Sequence, residues 1–167
     1  AAAAGDVREP LSRMRRTIAT RLAESWHEAP HIFLTMAIEM DAAMALRAEV
    51  NAALEAGGGG KVSLNDLVVK AAARALRAHP KLNASWADGD RIVRGRVNVG
   101  VAVALDDGLI TLTLPDADAR PLSALAAEMA DKAGRARAGA LQADDLAVPS
   151  TFTISNLGMY GIEDFTA

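Results

Sequence analysis

The sequence predicts an α/β (α+β) fold, a mixed sheet flanked by helices, and three observations predict it. Residues 11–28, 64–78 and 122–138 carry apolar side chains at helical spacing, and 42–56 is bounded like a helix. Between them lie alternating or continuously apolar, β-branched segments at 31–40, 97–105, 109–114 and 151–155. The resulting order of helix, strand, helix, helix, several strands, helix, strand is not a strict βαβ repeat. At 167 residues, one domain is the default and a substantial core is affordable.

Ala1-Ala-Ala-Ala-Gly5 reads as the end of a linker or a boundary segment, with the folded domain running 10–167 and residues 1–9 outside it. From Leu11 to about Glu28 an amphipathic helix is expected, with Met14, Ile18, Leu22 and Trp26 on one face and Arg13, Arg16 and Arg21 on others. Pro30 ends it. His31–Met40 then alternates, Ile32, Leu34, Met36, Ile38 and Met40 facing one way, which predicts a strand with one strongly buried face. Asp41 is the expected N-cap of a helix over 42–56 that stops at Gly57-Gly-Gly-Gly60. That glycine run lacks the lysine and hydroxyl spacing of a nucleotide loop and reads as a connector.

Ser63-Leu-Asn-Asp66 resembles a capping box, opening a helix to Ala78 with Leu67, Val68, Ala71, Ala72, Ala75 and Leu76 as its packing stripe. Asp88-Gly89 marks a hairpin between Asn83–Trp86 and Arg91–Arg94. Val97–Leu105 is apolar enough for a central strand, turned by Asp106-Asp-Gly108 into Leu109–Leu114. Pro121 fits the start of a helix over 122–138 packed through Leu122, Leu125, Ala126 and Met129. A short turn then leads into a final strand at Thr151.

Composition excludes several functions. A net charge of −3 makes no electrostatic case for nucleic acid or an acidic membrane surface. The absence of cysteine removes disulfides, thiolate metal sites and a thiol nucleophile. No apolar run is long enough to span a bilayer, and the first residues lack the pattern of a signal peptide, so a cytoplasmic location is the simplest expectation. The three histidines, His27, His31 and His79, show no metal-ligand spacing, and no metal is expected.

The stretch Thr151-Phe-Thr-Ile-Ser-Asn-Leu-Gly-Met-Tyr-Gly161 stands out. Strand-forming residues end at Ser155, just before Asn156-Leu-Gly158, which puts a hydroxyl at the rim of a sheet. Two readings are open on these residues alone: a core strand leaving into a loop, or one wall of a site.

This stretch, with Ile162 and Phe165-Thr-Ala167 after it, resembles the signature of dihydrolipoamide acyltransferases, the core subunits of 2-oxo acid dehydrogenase complexes. Pro30-His31, Leu64-Asn-Asp66, Pro80-Lys-Leu-Asn83-Ala-Ser-Trp86, and Val101-Ala-Val-Ala104 followed by Asp107-Gly-Leu-Ile110 fall in the family's order from Pro10 onward. The resemblance implies a chloramphenicol-acetyltransferase-like fold and trimers, or larger homo-oligomeric cores, with active sites between subunits. It implies acyl transfer between a dihydrolipoyl thiol, carried on another domain, and coenzyme A, in company with decarboxylase and dihydrolipoamide dehydrogenase components. Which acyl group is carried (acetyl, succinyl or branched-chain) is left open by the motifs.

Through the same resemblance, Ser155 matches the oxyanion donor, Asn156 and Gly158 are expected along the substrate channel, and His31 is expected either along that channel or in a structural role, not as the general base. The arginines of the first helix are either a solvated face or contacts for coenzyme A phosphates. The family's general base is a histidine in a downstream His-x-x-x-Asp-Gly motif, which these 167 residues do not contain. A fragment, a chain completed by a partner, and a non-catalytic structural or assembly subunit of the same fold are therefore all consistent with the sequence. Two departures from the family fall near the expected channel: Pro115, where a basic residue often stands, and Pro149-Ser150 in place of Gly-Gly.

Overall fold

The computed structural model describes residues 3, 5–106 and 108–166. Ala1, Ala2 and Ala4 of the expected linker, Asp107 of the expected turn and Ala167 lie outside the described residues. The chain divides into two compact units, one of residues 1–38 with 106–108, the other of residues 39–105 with 109–167.

In the first unit, helix α1 (Arg13–Glu28) starts on Ser12, whose hydroxyl accepts from the Arg15 N–H at 3.2 Å. It stops at Ala29, ahead of Pro30. Gly108 lies against its first turns, where an added Cβ would meet Met14 Sδ at 2.7 Å. The apolar face has the predicted spacing, but no residue of the helix is buried.

The strand expected over His31–Met40 is not formed. Residues 30–40 pair with no other strand, and Ile32, Leu34, Met36 and Ile38 are 84, 92, 82 and 67% exposed. Alternation gives a segment the capacity to present one apolar face, but a strand also needs a neighbouring backbone to bond. Here the row has the pattern without the partner.

The second unit opens with α2 (Asp41–Ala56). Asp41 is its first helical residue, and Met40 stands at the cap without a side-chain bond, so the carboxylate acts through the helix dipole instead of as a cap. Asn51 brackets Val62, donating to its carbonyl at 3.0 Å and accepting from its N–H at 2.7 Å, and so fixes the start of α3 (Leu64–Ala78). The capping box forms as expected: the Asp66 N–H donates to Ser63 Oγ at 3.1 Å, and Asp66 Oδ2 accepts from the Ser63 N–H at 2.7 Å. The buried stripe of α3 is Asp66, Val69, Ala73 and Leu76, which shares only Leu76 with the one expected; Leu67 and Ala72 are half-buried, and Val68, Ala71 and Ala75 are exposed. Burial of the cap itself sets the phase, because Asp66 then carries Val69, Ala73 and Leu76 inward at i+3 and i+4 steps.

Strands β1 (Ala84–Ala87) and β2 (Asp90–Val93) form the predicted hairpin, antiparallel with Ala87 opposite Asp90. Asp88 and Gly89 take φ of 51° and 88°, the left-handed pair that a two-residue hairpin turn requires. A separate three-stranded sheet has the order β4 (Gly108–Leu114), β3 (Val99–Leu105), β5 (Phe152–Ile154). β5 runs parallel to β3, while the two-residue connection from β3 to β4 is short enough only for antiparallel neighbours. The sheet is mixed, as predicted, and β3 is its central strand.

Helix α4 (Leu122–Arg137), with Pro121 at its cap, packs on β3 and α3 through Leu125, Ala126, Met129, Ala133 and Ala136. Leu112, Leu114 and Leu125 are fully buried in the core these elements share. Each contributes at most about 1.5–3 kcal/mol by removal from water. Lys70 on α3 bridges to the loop after β4, its Nζ donating to the carbonyls of Ala117, Asp118 and Arg120 at 3.1, 2.8 and 2.6 Å. After α4 a short 3-10 turn (Ala143–Leu146) leads into β5.

Candidate active site

The parallel pairing of β3 and β5 decides where Ser155 falls. Val99, Gly100 and Val101 lie opposite Phe152, Thr153 and Ile154, so Ser155 is the first residue past the ladder, beside the continuing backbone of β3. In a parallel pair, the C-terminal ends of both strands open on the same side, and ligand crevices form outside such ends. A cleft of about 420 Å³ lies there, wholly within the second unit.

Its floor is Val101–Ala104 of β3, and one wall is Ala126, Met129, Ala130 and Ala133 of α4. Ser155, Asn156, Leu157, Met159 and Tyr160 form the chain side. The start of α3 closes another side with Ser63, Asn65 and Asp66, and Lys61 and Arg137 bring positive charge to the lining.

Ser155 is half-buried, and its hydroxyl has no hydrogen-bond partner among the described residues. A free O–H in a largely apolar cleft can donate to an oxygen that gains charge there, and the poor dielectric strengthens that bond. Asn156 is oriented by its own turn: its Oδ1 accepts from the Gly158 N–H at 2.9 Å, which leaves the amide NH2 free. Gly158 itself does not line the cleft; it acts on Asn156. Asn65 Oδ1 is buried without a partner in the wall formed by α3.

Ser155 and Asn156 are thus brought together. His31 belongs to the first unit, where it is exposed, with its ring centroid 4.9 Å from that of Trp26. His79 caps the far end of α3, roughly 20 Å along the helix axis from the Ser63–Asp66 end. No histidine lines the cleft. Among the described residues, no cluster of histidine, aspartate and glutamate is placed to hold a metal ion, and no helix is long and apolar enough to cross a membrane. Lys61, Asn65 and Arg137 were not expected at the site. The Ser63–Asp66 motif marked a helix start, but nothing in it told that this start would face Ser155.

The family described as 2-oxoacid dehydrogenases acyltransferase (catalytic domain) matches residues 3–167. This chain belongs to that family. The dihydrolipoyllysine-residue acetyltransferase component of the pyruvate dehydrogenase complex of Zymomonas mobilis is 46% identical over 158 residues, covering 94% of this chain and 35% of that protein. The protein of the same description from Rhizobium meliloti is 42% identical over 161 residues, covering 95% and 36%. The chain therefore spans about a third of the length of these curated relatives. Among solved structures, the dihydrolipoamide acetyltransferase of Azotobacter vinelandii superposes with a TM-score of 0.89 at 34% identity, covering 98% of this chain and 68% of that one. A probable dihydrolipoamide acetyltransferase from Listeria monocytogenes also reaches 0.89, at 28% identity and 99% and 70% coverage. The acyltransferase fold expected from the sequence is the fold observed.

Proposed function

We propose that this chain forms part of the catalytic core of a dihydrolipoamide acyltransferase, with Ser155 as the oxyanion donor. The observation that carries the reading is the free Ser155 hydroxyl in an apolar cleft at the C-terminal ends of two parallel strands. In the transfer, the thiol of coenzyme A attacks the carbonyl carbon of an acyl-dihydrolipoyl thioester, and a base takes the thiol proton. The carbonyl oxygen becomes negative and accepts the Ser155 O–H bond. Collapse breaks the old carbon–sulfur bond, and the base returns its proton to the departing dihydrolipoyl sulfur. Ser155 is not the nucleophile.

The base in this reading is the histidine of a His-x-x-x-Asp-Gly motif, supplied by protein outside these 167 residues. Acetyl is the favoured acyl group, since the relatives in Zymomonas mobilis and Rhizobium meliloti are acetyltransferase components. The reading includes a homotrimer or larger homo-oligomeric core, working in the cytoplasm with decarboxylase and dihydrolipoamide dehydrogenase partners. Two observations support self-assembly: the exposed apolar row Ile32, Leu34, Met36 and Ile38, and a 34% identical structure described as the cubic core of the pyruvate dehydrogenase multienzyme complex.

The test is acyl transfer from acetyl-, succinyl- and isobutyryl-coenzyme A to dihydrolipoamide by the full-length protein. Ser155→Ala lowers kcat about 100-fold or more, with KM little changed. An unchanged kcat removes Ser155 from that role. A full-length protein that assembles but transfers none of the three acyl groups is a structural subunit instead.

A further inference from the structure

Ser155 owes its position to a ladder of only three residues. So short a parallel pairing holds its register weakly, and a slip of one residue would move Ser155 about 3.3 Å and turn its side chain to the other face of the sheet. Something outside the ladder must fix the strand. The residue placed to do so is Asn98, just before β3 and 6% exposed.

Every polar group of Asn98 is engaged. Its N–H donates to Thr151 Oγ1 at 3.1 Å, and its carbonyl accepts from the Thr151 N–H at 2.8 Å. Its Nδ2 donates to the Pro149 carbonyl at 3.2 Å, and its Oδ1 accepts from the Asp116 N–H at 3.2 Å. One buried side chain thus ties the residues leading into β5 to those leaving β4, on either side of β3. Gly100 completes the clamp: the Ser150 side chain sits where a Cβ on Gly100 would lie 2.9 Å from Ser150 Cβ. Residues 149–151 are therefore fixed laterally by Gly100 and lengthwise by Asn98.

We infer that Asn98 is a positioning residue for acyl transfer: it locks the register of β5 and thereby holds the Ser155 hydroxyl in the cleft. The inference rests on the acyl-transfer reading for its effect on rate, but its effect on the strand stands apart from it. None of the hydrogen-bond partners of Asn98 lines the cleft, and its bonds are made at the opposite end of the strand from Ser155.

The test uses Asn98→Asp in the full-length assembled protein. This change keeps the shape and the acceptor toward Asp116, but turns an oxygen toward the Pro149 carbonyl. Thr151→Val removes only the hydroxyl half of the clamp and serves if Asn98→Asp does not fold. Two readouts are taken. In hydrogen exchange, the amides of 152–155 exchange at least about 10-fold faster in the variant, while those of β4 and α4 keep their protection. In kinetics, kcat falls about 10-fold or more with KM within twofold, since a displacement of about 1 Å suffices for such a loss. Combined with Ser155→Ala, the second substitution adds no further loss, because both remove the same donor.

Unchanged exchange at 152–155 overturns the inference whatever the rate does. Multiplicative rate losses in the double variant also overturn it, because Asn98 would then act on activity through something other than Ser155. If Ser155→Ala alone leaves kcat unchanged, the oxyanion reading fails, and the exchange measurement still decides whether Asn98 locks the strand.

Discussion

Arg135 near the end of α4 holds Asp145 of the following 3-10 turn in a two-pronged pair, Nε to Oδ2 at 3.1 Å and Nη2 to Oδ1 at 2.5 Å. Arg135 also pairs with Asp131 one turn back, and Asp145 Oδ2 accepts from the Gln142 N–H at 2.9 Å. The fork ties the end of the helix to the 3-10 turn, and five residues after that turn the chain reaches the Asn98 clamp at Thr151. The hydrogen bonds from Arg135, and then the one from Gln142, hold the Asp145 carboxyl down at about 2.

That shift sets a pH dependence. The folded pKa of about 2 lies below that of a free aspartate, about 4. The pair therefore contributes fully above about pH 4, and its contribution is lost as pH falls from there through 2. Urea unfolding between pH 2 and pH 6 should show Asp145→Asn less stable than the parent at pH 6, with the gap closing over that acid window. A gap that stays constant down to pH 2 would show that Asp145 does not carry the linkage.

Gly100 sits where β3 is crossed from both sides. A Cβ there would lie 2.7 Å from Thr111 Cγ2 and 2.9 Å from Ser150 Cβ, both short, stiff groups near backbone. Gly100→Ala should therefore destabilise by about 1–3 kcal/mol through overpacking, despite the better intrinsic propensity of alanine. Gly134→Ala is the control, because a Cβ on that helical glycine meets nothing within 4 Å and should stabilise modestly. Equal effects of the two in thermal unfolding would remove the packing argument.

Local signals were legible in the sequence wherever one short stretch decides the structure. Asp88-Gly89 specified its hairpin, Ser63-Leu-Asn-Asp66 its cap, and the apolar run at 97–105 the central strand. The end of strand character at Ser155 was legible in the sequence, but on those residues alone a core strand and a site wall stayed open, and only the family resemblance pointed Ser155 and Asn156 toward the cleft they line. Lys61, Asn65 and Arg137 were not, since three separate elements bring them to the cleft and no local pattern records that meeting. The phase of α3 was missed for a related reason: several rows of that alanine-rich helix are apolar enough to bury, and the buried Asp66 selects among them. His31–Met40 failed differently, because alternation describes a side-chain pattern and carries no record of a partner backbone.

The cap on α3 faces the cleft, so its loss should be felt twice. Ser63→Ala removes the acceptor for the Asp66 N–H and one of the donors to Asp66 Oδ2. A cost of about 1–2 kcal/mol is expected in chemical denaturation. Ser63→Asp, which keeps a cap acceptor but puts a second carboxylate beside Asp66, should recover little of it. Full recovery would mean that the cap acceptor alone matters, and that the carboxylate of Asp66 contributes nothing specific.

Leu34 is 92% exposed in the middle of an apolar row. A single exposed leucine is ordinary, but Ile32, Leu34, Met36 and Ile38 alternating on an unpaired segment form a face that water covers poorly. If copies of the chain cover it, Leu34→Asp places a charge in a desolvated contact and should shift sedimentation toward smaller species. Leu34→Met, similar in volume and still apolar, should leave the assembly intact. The fold of each chain should lose nothing, because Leu34 is exposed and is not among the core residues; its far-ultraviolet spectrum and refolding should match the parent. A charged variant that sediments like the parent would show that this row is not where the copies meet.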